Sequence, residues 1–261
     1  MTTSSDALRA RFDALARARR KALIPYVTAG HPSPARSLEL MRALEDAGAD
    51  VIEVGVPFSD PMADGPVIQA SSQAALEHGM SLDRTLDLVR EARLGIPVVL
   101  FSYLNPVVAA GEDVLDRAAS AGVHGILVTD LPVGVDPSRE QWLGSGPLAF
   151  VRLVAPTTPE ARMRDIGAHG SGFVYLISRL GVTGARDDVP DELPASVDRL
   201  RQATTLPIAV GFGISTPAQA RRIGALADGI VVGSALVKAA GESVGAAARL
   251  ASSLRAALDE G

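Results

Sequence analysis

Short, nearly unbroken runs of Val, Ile and Leu alternate along the chain with longer stretches in which apolar residues recur every three or four positions. The short runs are residues 22–28 (ALIPYVT), 50–55 (DVIEVG), 97–102 (PVVLFS), 125–129 (GILVT), 148–154 (LAFVRLV), 173–177 (FVYLI), 207–211 (PIAVG) and 229–233 (GIVVG). Strands buried on both faces read this way, which predicts a parallel sheet. Helical periodicity marks residues 34–47, 81–93, 112–121, 159–166, 216–226 and 244–258. Pro34 and the Thr216-Pro217 pair suit first helical turns, Ser81 suits an N-cap, and Gly48, Gly122 and Gly167 follow helix ends. In residues 6–21 (DALRARFDALARARRK), Leu8, Phe12 and Leu15 share one helical face. Asp6 and Asp13 interrupt the arginines, so the basic face reads as the solvated side of an amphipathic helix rather than a transit peptide or a nucleic-acid arm.

Eight strands, each followed by a helix, in about 250 residues predict an α/β fold of the (β/α)₈ TIM-barrel type. The rival is an open doubly wound sheet, which usually opens with G-x-G-x-x-G after its first strand. Here that strand leads into Ala29-Gly30-His31-Pro32. The expected organisation is a single domain over residues 1–261. It has an extra N-terminal helix (1–20), a long loop after the second strand (56–70) and another after the sixth (178–194).

Composition narrows the class. The 261 residues are 47% hydrophobic and 21% charged, enough to build a large core without covalent staples. Their net charge of −5 argues against a nucleic-acid binder. With no cysteine, disulfides, thiol catalysis and Cys-ligated zinc are excluded, and the chain suits a reducing, cytoplasmic compartment. No apolar stretch is long enough to cross a bilayer, and the N-terminus lacks the apolar middle of a secretory signal. His31, His78, His124 and His169 lack metal-ligand spacing, and neither a nucleophile elbow nor a P-loop occurs.

Barrel enzymes place their chemistry at the C-terminal ends of the strands. Glu53 stands inside the apolar second strand, where burial raises a carboxyl pKa and suits it to donate a proton. A core Glu paired with an Arg is the plainer alternative. Asp64 follows eleven positions later in FSDPMADGP, a Pro- and Gly-restricted loop. Turn chemistry alone explains an Asp before Gly, but long loops are more often functional. Tyr103 and Asn105 follow the third strand, Asp130 the fourth, and Tyr175 lies in the sixth. Gly211-Phe212-Gly213 ends the seventh strand and Gly233-Ser234 the eighth. Phosphates commonly bind there, on backbone N–H groups near a helix N-terminus.

The stretches IPYVTAGHP, ADVIEVGVPFSDPMADGPVIQ, SYLNPV, GILVTDLP, YLISRLGVTGA, GFGIS and VVGSALVK occur in this order, and with them the chain resembles the tryptophan synthase α chains along almost its whole length. The resemblance implies a lyase that cleaves indole-3-glycerol phosphate to indole and glyceraldehyde 3-phosphate. It implies Glu53 and Asp64 as the catalytic pair. Tyr175, Thr183, Phe101, Leu127 and Phe212 would position the substrate, and Gly184, Gly213, Gly233 and Ser234 would bind its phosphate. No cofactor or metal is implied in this chain, since pyridoxal phosphate belongs to the β chain, the partner in an α2β2 heterotetramer. Three positions depart from the commonest pattern: His31 in place of Asp, Tyr26 in place of Phe, and Leu180 in place of a smaller residue.

A subunit that docks a partner buries an apolar loop surface. Pro57, Phe58, Asp60, Pro61 and Met62 in the second loop and Leu131-Pro132 after the fourth strand are candidates, with local loop packing as the plainer reading. Another phosphate-binding barrel enzyme would share the GFG and GS signals but not FSDPMADGP with the strand Glu. A non-catalytic activating subunit would have no need of Glu53, Asp64 and Thr183 together. A free-standing indole-releasing lyase would turn over rapidly without a partner.

Overall fold

The structure is a computed structural model that describes residues 4–177, 191–211 and 213–260. In chain order the elements are α1 (Ser4–Arg17), β1 (Ala22–Thr28), α2 (Pro34–Asp46), β2 (Ile52–Gly55), α3 (Pro66–Glu77), α4 (Leu82–Ala92), β3 (Val98–Ser102), α5 (Leu104–Ala109), α6 (Val114–Ser120) and β4 (Gly125–Val128). There follow α7 (Pro137–Ser145), β5 (Ala149–Val154), α8 (Glu160–Ala168), β6 (Val174–Ile177), α9 (Leu193–Ala203), β7 (Ile208–Gly211), α10 (Pro217–Leu226), β8 (Gly229–Val232), α11 (Ser234–Glu242) and α12 (Val244–Asp259). Each strand pairs in parallel with the next, and β8 returns to β1, closing a (β/α)₈ barrel.

Strand alternation sorts the apolar residues into two cores. Leu23, Val27, Ile52, Val54, Leu100 and Ile126 face the surrounding helices. Ala22, Ile24, Val51, Val99, Leu127, Val151 and Phe173 fill the inside of the barrel. Leu8, Phe12 and Leu15 of α1 join the inner core, with the Phe12 and Phe173 rings 5.3 Å apart. The N-terminal helix therefore closes the floor of the barrel, and each of its large side chains contributes roughly 1.5–3 kcal/mol by burial. Nearby, the fully buried Asp50 carboxylate accepts from Leu23 N (2.9 Å), Arg11 Nη2 (2.6 Å) and Arg255 Nη1 (3.0 Å). One side chain thus joins α1, β1 and α12.

Two predicted boundaries shift for local reasons. The N-terminal helix stops at Arg17, not at residue 20: Arg19 adopts φ +52°, with Arg19 N donating to Ala16 O and Arg20 N to Leu15 O, a Schellman stop. The loop after β2 ends at Gly65, not at residue 70, because Pro66 supplies the fixed φ of a first helical turn and α3 begins there. Helices α3, α5, α7, α9 and α11 had no counterpart in the periodicity. Residues 178–190, most of the predicted sixth-strand loop, lie outside the described residues.

Candidate active site

Ile52 and Val54 pack against the helices, so Glu53 between them turns into the barrel. It is 1% exposed and lines a cavity of about 240 Å³ whose other walls include Tyr26, Asp64, Phe101, Tyr175, Gly213, Gly233 and Ser234. Among the described residues no arginine pairs with it, and Glu53 Oε1 has no hydrogen-bond partner. Burial pushes its carboxyl from the ordinary 4.5 up to about 8. The acid form is therefore the main form at neutral pH.

That burial has a cost in stability. Between about pH 4.5 and about pH 8 the folded chain holds a proton that the unfolded chain has lost, so this group's contribution to stability falls as pH rises through that window. Glu53→Gln, which cannot ionise, is expected to raise Tm by a few degrees or more above pH 8 and to leave it almost unchanged near pH 4.5. Thermal melts of both proteins at the two pH values check this.

Asp64 sits on the loop between β2 and α3, half-buried at the rim. Tyr103 Oη donates to Asp64 Oδ2 at 3.0 Å and accepts from Ala63 N at 2.9 Å, while Gln69 Nε2 donates to the Asp64 carbonyl at 2.9 Å. The Tyr103 ring packs 5.1 Å from Phe58. Desolvation pushes the Asp64 carboxyl up to about 6 against the opposing pull of the Tyr103 hydroxyl. Asp64 is thus mostly ionised at pH 7, and two carboxyl groups in one cavity hold opposite protonation states. Tyr103→Phe removes the stabilising donor, so the Asp64 pKa should rise further. The acidic limb of the pH–rate profile should then move to higher pH, with kcat at pH 7 lower by about tenfold, one hydrogen bond to a charged group. An unmoved limb would show that Tyr103 does not set the charge of Asp64.

The side walls are aromatic. Tyr26 meets Phe101 edge-on, with centroids 5.4 Å apart and planes at 82°. A Cβ at Gly55 would collide with the Tyr26 hydroxyl, and one at Gly211 with the Tyr175 hydroxyl. Glycine at the ends of β2 and β7 makes room for the two rings. Burial raises both phenol pKa values, with Asp64 next in effect at Tyr26 and Glu53 next at Tyr175, so both hydroxyls stay protonated.

The loops after β7 and β8 complete the lining. Gly213, Ile214 and Ser215 follow β7, and Gly233, Ser234 and Ala235 follow β8, all lining the cavity. Helix α11 starts at Ser234 with Gly233 as an N-cap that makes no side-chain bond. Its first-turn N–H groups therefore have no capping side chain to satisfy them. Ser215 N and Oγ both donate to Gln219 Oε1, at 2.8 and 3.3 Å, which fixes the turn after β7.

Several sequence expectations take other positions. Leu127 is paired in register with Phe101 but lies in the inner core and does not line the cavity. Thr183, Gly184, Leu180 and Phe212 lie outside the described residues. Among the loop candidates for a partner surface, Pro57 and Leu131 are buried, Phe58 and Pro61 are half-buried, and Asp60 and Pro132 are exposed. Pro57 and Leu131 pack inward and present no surface of their own. The exposed large hydrophobics among the described residues are Met62 (86%) and Val135 (67%), on the loops after β2 and β4. Tyr103 was visible in the sequence only as a strand-end polar residue, while Ile68 and Lys238 came with no signal of a role. Ile68 and Lys238 reach the cavity from helices, where only the three-dimensional placement shows which face meets it.

Residues 12–259 match the family model described as tryptophan synthase alpha chain. The tryptophan synthase alpha chain of Laribacter hongkongensis is 49% identical over 259 residues, covering 95% of this chain and 97% of that one. That of Methylococcus capsulatus is 48% identical over 231 residues, covering 87% and 86%. Among solved structures, tryptophan synthase subunit alpha from Legionella pneumophila superposes with a TM-score of 0.89 at 35% identity over all of both chains. Tryptophan synthase of Mycobacterium tuberculosis gives 0.89 at 36% identity, covering 96% of this chain and 97% of that one.

Proposed function

Because this chain belongs to the tryptophan synthase alpha chain family, we propose that Glu53 and Asp64 carry the cleavage of indole-3-glycerol phosphate to indole and glyceraldehyde 3-phosphate. The observation that carries the assignment is the buried Glu53 carboxyl, unpaired and protonated at neutral pH, in one cavity with an ionised carboxylate and a glycine-lined anion end.

Glu53 gives its proton to indole C3, converting the ring to an indolenine-like cation. Asp64 carboxylate accepts a hydrogen bond from the ring N–H, whose acidity grows as that charge develops. The side-chain hydroxyl next to C3 then returns a proton to Glu53 as the carbon–carbon bond breaks. The electron pair of that bond restores the aromatic ring, and the former carbinol carbon leaves as the aldehyde of glyceraldehyde 3-phosphate. Phe101, Tyr26 and Tyr175 flank the indole. Gly213, Gly233 and Ser234, with Gly184, hold the phosphate, so binding energy at the unreactive end orients the reactive one. Thr183, to which the resemblance assigns a positioning role, lies outside the described residues.

The partner in this reading is the β chain, in an α2β2 assembly in the cytoplasm. Met62, Phe58, Asp60 and Pro61 on the β2 loop and Pro132 on the β4 loop form the docking face, with Pro57 supporting it from below. The α chain is assigned no cofactor, since pyridoxal phosphate serves the β reaction that joins indole to serine. No described helix is long and apolar enough to cross a membrane. The test is indole release from indole-3-glycerol phosphate by the pure chain, repeated with β chain added. Slow release accelerated by the β chain is expected. Absence of indole under both conditions would overturn the assignment, and fast release indifferent to the β chain would make this a free-standing lyase.

A further inference from the structure

The cavity presents a charge imbalance. Of the two carboxyl groups that line it, Asp64 is ionised and Glu53 neutral at pH 7, and the proposed substrate adds a phosphate dianion. Against these, Lys238 is the only Lys, Arg or His among the described residues that line the cavity. It lies on α11, four residues after Ser234, and so on the same helical face one turn further along. Side chains on a helix slant back toward its N-terminus, so the long Lys238 stem runs toward the Ser234 end. Lys238 makes no hydrogen bond or ion pair with any described residue, whereas the buried arginines Arg152 and Arg255 are engaged with carboxylates. Among the described residues, the ammonium therefore has no carboxylate partner, and it lines the same cavity as the first turn of α11.

Resting on the assignment above, we infer that Lys238 is a positioning residue for the substrate phosphate, supplying the charge that the backbone N–H groups of Gly213, Gly233 and Ser234 lack. Backbone donors and a helix end select an anion but bring only partial charge. A lysine is a compact full charge suited to phosphate. Set at the rim and exposed to water, it also draws a dianion toward a mouth whose ionised Asp64 repels it. Its contribution falls on binding of the end that does not react. Its loss should therefore raise KM and leave kcat in place, and it should weaken the dianion more than the monoanion.

The experiment compares the parent with Lys238→Met and Lys238→Arg in indole release from indole-3-glycerol phosphate, with inorganic phosphate and glycerol 3-phosphate as competing probes. Lys238→Met is expected to raise KM and both inhibition constants by about tenfold, the size of one solvent-screened, charge-assisted bond, with kcat within about twofold of the parent. Lys238→Arg should restore most of the affinity. The parent's kcat/KM should fall with added salt more steeply than that of Lys238→Met. A merely structural lysine on α11 would move Tm and kcat and leave the salt dependence and phosphate inhibition alone. An active parent whose KM and phosphate inhibition are unchanged in Lys238→Met overturns the inference and spares the assignment. A parent that releases no indole overturns the assignment, and phosphate inhibition that is also unchanged overturns both.

Discussion

Replacing Glu53 by glutamine removes most of the lyase activity, by about 10²–10⁴-fold in kcat or more, while the fold is kept. Glutamine fills the same volume in the β2 position and offers an amide where the carboxylic acid stood. The amide cannot give a proton to a ring carbon and take another back from a hydroxyl. The wild-type pH profile carries the same information. Glu53 must be protonated, and burial sets its pKa at about 8; Asp64 must be ionised, and its pKa is about 6. Activity is therefore expected to fall below about pH 6 and above about pH 8, with the alkaline limb belonging to Glu53. Single-turnover indole release with far-UV circular dichroism as a check on folding is the decisive measurement. Near-parental turnover in a folded Glu53→Gln would remove Glu53 from the chemistry.

The second large effect is expected at the other end of the barrel. Asp50→Ala should cost about 3–5 kcal/mol, the range seen when one partner of a buried ion pair is removed. The Asp50 carboxylate is inaccessible to water, and its loss strands the Leu23 N–H and takes one of two carboxylate partners from Arg255, itself 8% exposed and still paired with Asp259. At this chain length that corresponds to a fall in Tm of roughly 10 °C. Arg11 is a third exposed and loses less. The double variant Asp50→Ala, Arg255→Met should be more stable than the sum of the single losses, because the Asp50–Arg255 pair is then lost once and not counted twice. Strict additivity in denaturant melts would show that the pair is not coupled.

The barrel was legible because parallel strands buried on both faces leave continuous Val, Ile and Leu runs, and each such run became a strand. The edges were less so. Asp50 reads as the first residue of DVIEVG, yet its side chain, not a ladder position, is what the fold uses. Helix α3 was hidden because Pro66 reads equally well as loop restriction and as a first turn, and α11 because its opening Gly-Ser reads as an anion turn. Within the site, Glu53 stood out as a lone carboxylate in an apolar strand, and the structure turns it inward with no arginine partner among the described residues. Tyr103 could not be assigned, since its contact with Asp64 spans 39 positions. Leu127 shares the alternation of Phe101 but sits on the next strand, and sequence spacing carries no information about depth along the barrel axis.

The bare ends of the second and seventh strands carry one more implication. Hydrogen atoms there yield their space to two phenol rings, so the breadth of the reaction chamber is dictated by removable rings and not by backbone. An engineer who wants substituted indoles admitted would trim Tyr26 or Tyr175 and leave the glycines alone. Enlarging Gly55 or Gly211 instead would thrust a ring inward and shut the chamber against even the natural bicycle.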